Sequence, residues 1–262
     1  MAGDWDCNTG IAMAAVEEFK AGGYRYIPGG FQFSGGVAAS AGYEIKRCRF
    51  RAPVPLIDGF ARIEAVIRAA GRPLTAFCAC ELRSPGQFTE QGFRPFNESY
   101  VVTLGKWGVY SANVNPVARS NVCPEIDPPT KPGFHAFSFT VPAEADTAPS
   151  FVISGSAEAR AIDASYPERI IRYGETSPDA MREKAHFVLE EITRRLGLFG
   201  VGWRDTTASQ VYTIRNIYPF FADEIVRCGA AHAGINWHFT RPPVRDLEFE
   251  VDCRSVRVEE VI

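Results

Sequence analysis

Apolar positions along this chain follow two spacings, and their order occurs twice. From Tyr24 the spacing is that of strands: Tyr24-Arg25-Tyr26-Ile27, then Phe31-Gln32-Phe33-Ser34-Gly35-Gly36, with Gly29-Gly30 read as a hairpin turn, then 44–51. Phe60, Ile63, Ile67 and Ala70 fall at helical spacing behind Asp58, a candidate N-cap, and Gly71 supplies a left-handed stop. A strand is predicted over 74–82, a break at Ser84-Pro85-Gly86, a second helix over 88–105 and an irregular strand over 118–122. The strand 134–141 places Phe137, Phe139 and Val141 on one face and Ala136, Ser138 and Thr140 on the other. Residues 1–20 read as an irregular lead-in, helical over 11–19.

The same order returns after 142–149, a small, acidic stretch without apolar periodicity. Phe151-Val152-Ile153-Ser154-Gly155-Ser156 is its first strand. Ser177 caps a helix with Pro178 at its first position, and Met181, Ala185, Val188, Leu189, Ile192 and Leu196 form the buried stripe. A strand over 206–213, a helix over 216–228, a strand over 234–240 and a closing strand over 247–253 complete the copy. Each copy carries a double-proline turn, Pro128-Pro129 and Pro242-Pro243. The expectation is an α+β chain of two tandem domains, 1–142 and 148–262. Each would be a mostly antiparallel sheet with two helices on one face, and any active site would lie between units. The other sheet face needs a cover. A homotrimer is the first expectation for it, and an intramolecular pair of sheets the alternative.

Composition narrows the function. A net charge of −3 over 262 residues gives no electrostatic case for nucleic acid. No apolar run is long enough for a membrane span. The start of the chain carries Asp4 and Asp6 where a signal peptide would be basic, so a cytoplasmic location is expected. Seven cysteines without paired spacing read as reduced thiols, with Cys78 and Cys80 on one strand face. His135, His186, His232 and His238 show no zinc spacing, and neither a phosphate loop nor a serine elbow occurs, so no metal site is expected.

Several segments together resemble the Rid/YjgF family of reactive-intermediate imine deaminases, which is similar in fold to chorismate mutase. Phe33-Ser34-Gly35-Gly36 and Phe151-Val152-Ile153-Ser154-Gly155 resemble its Ser-Gly strand. Phe93, Asn97 and Tyr100 resemble its second helix, and Asn115-Pro116-Val117-Ala118-Arg119-Ser120 the strand bearing its signature arginine. Gln210-Val211-Tyr212-Thr213 resembles the central strand and Leu247-Glu248-Phe249-Glu250 the closing one. The resemblance implies trimers with clefts at subunit boundaries, an arginine that binds a substrate carboxylate, a glutamate that positions water, and no organic cofactor. The first copy has the arginine but no glutamate in its closing strand. The second has Glu248 but Gly234 near the arginine position. A composite cleft or altered chemistry would account for this split.

Arg119 is the leading candidate, because a planar guanidinium matches a carboxylate with two parallel hydrogen bonds; a surface ion pair is its bland alternative. Glu248 and Glu250 share a strand face, and Glu248 is the candidate for handling water. Ser34-Gly35 and Ser154-Gly155 are candidate polar walls, Tyr26 a candidate pocket aromatic, and His238 and Arg241 candidates from one strand. Three functions stay open: a hydrolase acting on a small carboxylated imine or enamine, a chorismatase-like hydrolase of a cyclic dicarboxylate, and a small-molecule binder without catalysis.

Overall fold

The computed structural model describes residues 16–144, 147–162 and 164–262. The start of the expected lead-in helix lies outside them, and its end is a strand, β1 (Glu17–Phe19). β2 (Tyr24–Ile27), β3 (Gly36–Ala39) and the long β4 (Tyr43–Pro55) follow, then helix α1 (Leu56–Ala69), β5 (Phe77–Arg83) and helix α2 (Glu90–Lys106). β6 (Ala118–Pro124) and β7 (Gly133–Pro142) close the first half. The second half holds β8 (Phe151–Ala157), the one-turn α3 (Tyr166–Arg169), the long α4 (Pro178–Leu198) and β9 (Ala208–Tyr212). After α5 (Tyr218–Phe220), which continues as a π-turn, come β10 (Asn236–His238), β11 (Thr240–Arg241), β12 (Glu250–Ser255) and β13 (Val258–Val261).

These strands form two sheets, in the orders β1-β2-β3-β8-β12-β9-β10 and β11-β6-β5-β7-β4-β13. The halves exchange strands. β1 to β3 complete the sheet of the second half, while β11 and β13 flank that of the first, so the sheets do not part at the 142–148 break. Each sheet carries helices on one face. The α4 stripe Met181, Ala185, Val188, Leu189, Ile192 and Leu196 packs with Phe151, Ile153, Val251 and Cys253. Ile63 and Ile67 of α1 and Tyr100, Val101 and Leu104 of α2 pack with Phe77, Leu82, Phe137 and Phe139.

The two remaining faces cover one another within the chain, which removes the uncovered face from which the trimer was argued. Tyr24, Val37, Ile45, Cys78 and Ala118 form an apolar part of this middle layer. The rest is polar: Asp252 accepts from Gln210 Nε2 at 2.8 Å, from Tyr212 at 2.9 Å and, across the sheets, from Ser120 Oγ, while Glu81 pairs with Arg47 at 2.7 Å. Among the described residues, no helix is long and apolar enough to cross a membrane.

Several local readings change. Asp58 is not the N-cap of α1 but lies in its first turn, behind Pro55. Residues 31–35 are not a strand: Ser34 makes one bridge to Ala118, and pairing begins only at Gly36. Cys78 and Cys80 do not share a face. A bulge after Phe77 turns Cys78 into the middle layer and Cys80 beneath α2, against the Tyr100 hydroxyl at 3.2 Å. The closing strand begins at Glu250, because Leu247 to Phe249 are drawn aside by a buried carboxylate: Glu158 accepts from the backbone N–H of Glu248 at 2.6 Å and of Phe249 at 3.1 Å.

Candidate functional site

β6 is paired with β5 along 118–122, but its other edge has little strand cover there, since β11 pairs only with Cys123 and Pro124. The Ser-Gly segments of the other sheet fill that seam. Ser34 N–H donates to Val117 O at 2.9 Å, Ser154 Oγ accepts from Arg119 N–H at 3.1 Å, and the same hydroxyl donates to Ser34 O at 2.6 Å. Ser34 and Ser154 are thus committed to joining the sheets. Arg195 reinforces the join by donating to Ser154 O at 3.2 Å. Beside it opens a cavity of about 320 Å³, bounded by α2, α3, β6, β8 and β12 and lined by Phe33, Phe93, Arg119, Asn121, Gly155 and Glu250 among others.

Alternation along β6 sends Arg119 and Asn121 to the cavity side and Ser120 to Asp252 in the middle layer. Arg119 is 2% exposed, and neither Nη1 nor Nη2 has a hydrogen-bond partner. Its guanidinium lies 4.8 Å from the ring of Phe33, 5.1 Å from Tyr100, 5.7 Å from Phe93 and 5.9 Å from Phe96. Burial lowers its pKa, against the attraction of Tyr100, Cys80 and Glu250. A buried cation facing aromatic rings and a cavity, with no carboxylate bonded to it, has two Nη groups free to take an anion.

Glu250 stands across the seam on β12, 4% exposed. Burial holds its carboxyl well above the usual carboxylate range, with Asp252 adding repulsion and Arg83 and Arg119 opposing. It is therefore a buried acid that keeps its proton where ordinary glutamates have lost theirs. Gly155 makes room for it: a Cβ at 155 would collide with Glu250 Oε1.

The remaining candidates lie elsewhere. Glu248 is held in a two-point pair by Arg215, at 2.9 and 3.0 Å, and does not line the cavity. Arg241 makes a similar pair with Glu125, at 2.7 and 3.1 Å. His238 stacks on Tyr212 at 5.1 Å and meets Gln210 at 3.2 Å, and burial, with the charge of Arg83, pushes its pKa down to about 4. Tyr26 is buried with its hydroxyl on Glu17. Gly35 N–H is taken by Ile27 O and its carbonyl by Ser154 N–H. The structure thus gathers Arg119 and Gly155 with Glu250, Asn121, Tyr166 and Arg169, of which the last four carry no sequence assignment to the site. The i, i+2 relation to Arg119 was a usable signal for Asn121. Tyr166 and Arg169 reach the cavity from a segment tied down by the buried pair Lys184–Glu158 at 3.2 Å and by Lys184 donating to Ile171 O, which left no local pattern.

With this geometry in place, the class of the chain follows from its sequence: residues 16–260 match the family described as 2-aminomuconate deaminase CnbZ, and the chain belongs to that family. The 2-amino-5-chloromuconate deaminase of Comamonas testosteroni is 50% identical over 245 residues, 93% of this chain and 98% of that protein. Solved structures are more distant. A chorismatase shares 14% identity and a TM-score of 0.48, covering 85% of this chain and 77% of its own. The YjgF gene product of E. coli shares 13% and a TM-score of 0.30, covering 44% of this chain and 84% of its own. The family assignment rests on the sequence matches alone.

Proposed function

We propose that this protein hydrolytically deaminates an amino-substituted unsaturated dicarboxylate of the 2-aminomuconate type. The observation that carries the reading is Arg119, buried on the cavity wall with both Nη groups unpaired, beside a carboxyl that burial keeps protonated. The name of the relative that is 50% identical supplies the substrate class.

The carboxylate next to the amino-bearing carbon takes the two Nη groups of Arg119, turning an unpaired buried charge into a paired one. Phe33 and Phe93 line the same cavity and cover the guanidinium, so a ligand must turn one of these rings aside to reach it. Glu250 gives its proton to the enamine carbon, and the enamine becomes an iminium ion. The carboxylate left behind takes a proton from the water that adds to the C=N carbon and gives it to the nitrogen of the carbinolamine. As the C–N bond breaks and the C=O forms, the hydroxyl proton returns to Glu250, so one water enters, one ammonia leaves and the acid is restored. Arg83 and Arg119 stabilise the transient charge on Glu250. The distal carboxylate falls to Arg169, half-buried on the cavity wall, whose Nε is fixed by Arg160 O at 2.9 Å and which has no ion pair among the described residues.

Ammonia release from 2-aminomuconate and its 5-chloro derivative tests the reading. Turnover by the native protein and its loss in Arg119→Ala are expected. No ammonia from either compound would overturn the proposal.

A further inference from the structure

We propose that Asn121 is a catalytic residue whose side-chain amide donates a hydrogen bond to the oxygen that water brings to the reacting carbon. The inference rests on the deaminase reading and adds to it the group that recognises the new C–O bond. Asn121 is 3% exposed and lines the cavity two residues from Arg119 on β6. Its Oδ1 accepts from Ser84 Oγ at 2.9 Å, so the amide oxygen is turned toward Ser84 and the NH2 end away from it. Its Nδ2 group is left without a partner. Buried amide donors are rarely unpaired, because a lost hydrogen bond costs free energy that folding has little to spare. An unpaired one beside an unpaired guanidinium marks a place where a ligand completes the bonding.

The chemistry of the substrate says which ligand atom this is. In the product, the carboxylate and the new carbonyl oxygen stand on adjacent carbons. Once Arg119 holds that carboxylate, the oxygen lies one bond further along the ligand. Arg119 and Asn121, at i and i+2, present a charged fork and a neutral donor side by side on one strand face. The neutral donor fits an oxygen that begins as water, becomes the hydroxyl of the carbinolamine and ends as a carbonyl. Ser84, at the end of β5, is then a positioning residue that keeps the acceptor end of the amide away from that oxygen.

Calorimetric binding of 2-oxoadipate and adipate provides the test, since both carry the same two carboxylates and only one has the oxygen. The native protein is expected to prefer the oxo acid by about tenfold. Asn121→Leu and Asn121→Ala are each expected to bring the two affinities within about twofold of each other. The alanine removes the donor without adding volume or a charge beside Arg119, so it decides the matter if the leucine variant does not fold. In turnover of 2-aminomuconate, the Asn121 variants should lose mainly kcat, whereas Arg119→Lys should raise mainly KM. A preference that survives in the variants, or a native protein that binds both acids equally, removes the role of Asn121 and leaves the deaminase reading standing. A native protein that binds neither acid and releases no ammonia from 2-aminomuconate overturns the deaminase reading itself, and one that binds neither acid but releases ammonia leaves the kcat of the Asn121 variants to decide.

Discussion

Replacing Arg119 by methionine separates a ligand anchor from a structural strut. Taking a guanidinium out of water costs several kcal/mol unless it is paired. In the free protein the compensation comes from four rings at 4.8 to 5.9 Å. At about 0.5–2 kcal/mol each they return roughly 2–8 kcal/mol. Glu250 adds little Coulomb attraction while its carboxyl is protonated. The terms nearly cancel, so a methionine of similar length should change the unfolding free energy by no more than about 2 kcal/mol, and toward greater stability. Ligand binding breaks the balance. Muconate at a hundredfold excess over its Kd should stabilise the native protein by about 2.7 kcal/mol and leave the Met variant unmoved. Urea unfolding with and without muconate measures both quantities. A loss of more than about 4 kcal/mol in Arg119→Met without ligand would mean that the guanidinium holds the fold together, and the anchor argument would fail.

Glu250→Gln should lower turnover by about 10²- to 10⁴-fold, the usual worth of a general acid. It should also flatten part of the pH dependence of stability. The native carboxyl has a raised pKa, so the folded state retains a proton that the unfolded chain releases, and stability falls as pH rises from the ordinary glutamate range through the raised value. The advantage of the native protein over Glu250→Gln should shrink across that window, and a difference constant with pH would contradict the assignment. Gly155→Ala should reproduce the activity loss, because its Cβ takes the place of Glu250 Oε1; unchanged turnover would show that the carboxyl can move freely. Glu248→Gln should cost about 1 kcal/mol or less and leave kcat nearly intact, since its pair with Arg215 is partly exposed and away from the cavity. A large kcat loss there would return the role of acid to Glu248.

Local patterns carried the helices and most strands because each has its own apolar stripe. The Ser177 cap, the Met181-to-Leu196 stripe and the alternation of Phe137 and Phe139 need no knowledge of partners. Strand exchange is different. Pairing of β3 with β8 joins Gly36 to Ile153, and nothing in either segment names a partner so far along the chain. The bulge at Cys78 is equally silent, since it places two consecutive residues on one face only when β7 pairs beside it.

The choice between Glu248 and Glu250 shows why the site was only half legible. On a regular strand both glutamates share a face, and neither can be preferred. The preference comes from Glu158, ninety residues earlier, which is buried with Lys184 and has two N–H donors from the segment ahead of β12. That contact keeps 247–249 out of the ladder and leaves Glu248 beside Arg215, so regular alternation starts with Glu250 opposite Tyr212. The same carboxylate is paired with Lys184, which also holds Ile171 O at 2.7 Å, beside the turn that carries Arg169. One buried ion pair therefore places both Glu250 and the segment carrying Arg169 on the cavity wall. The placement of Arg119 was legible because it follows from regular alternation along its own strand. The placement of Glu250 was not, because it follows from a distant carboxylate that deflects the residues before it.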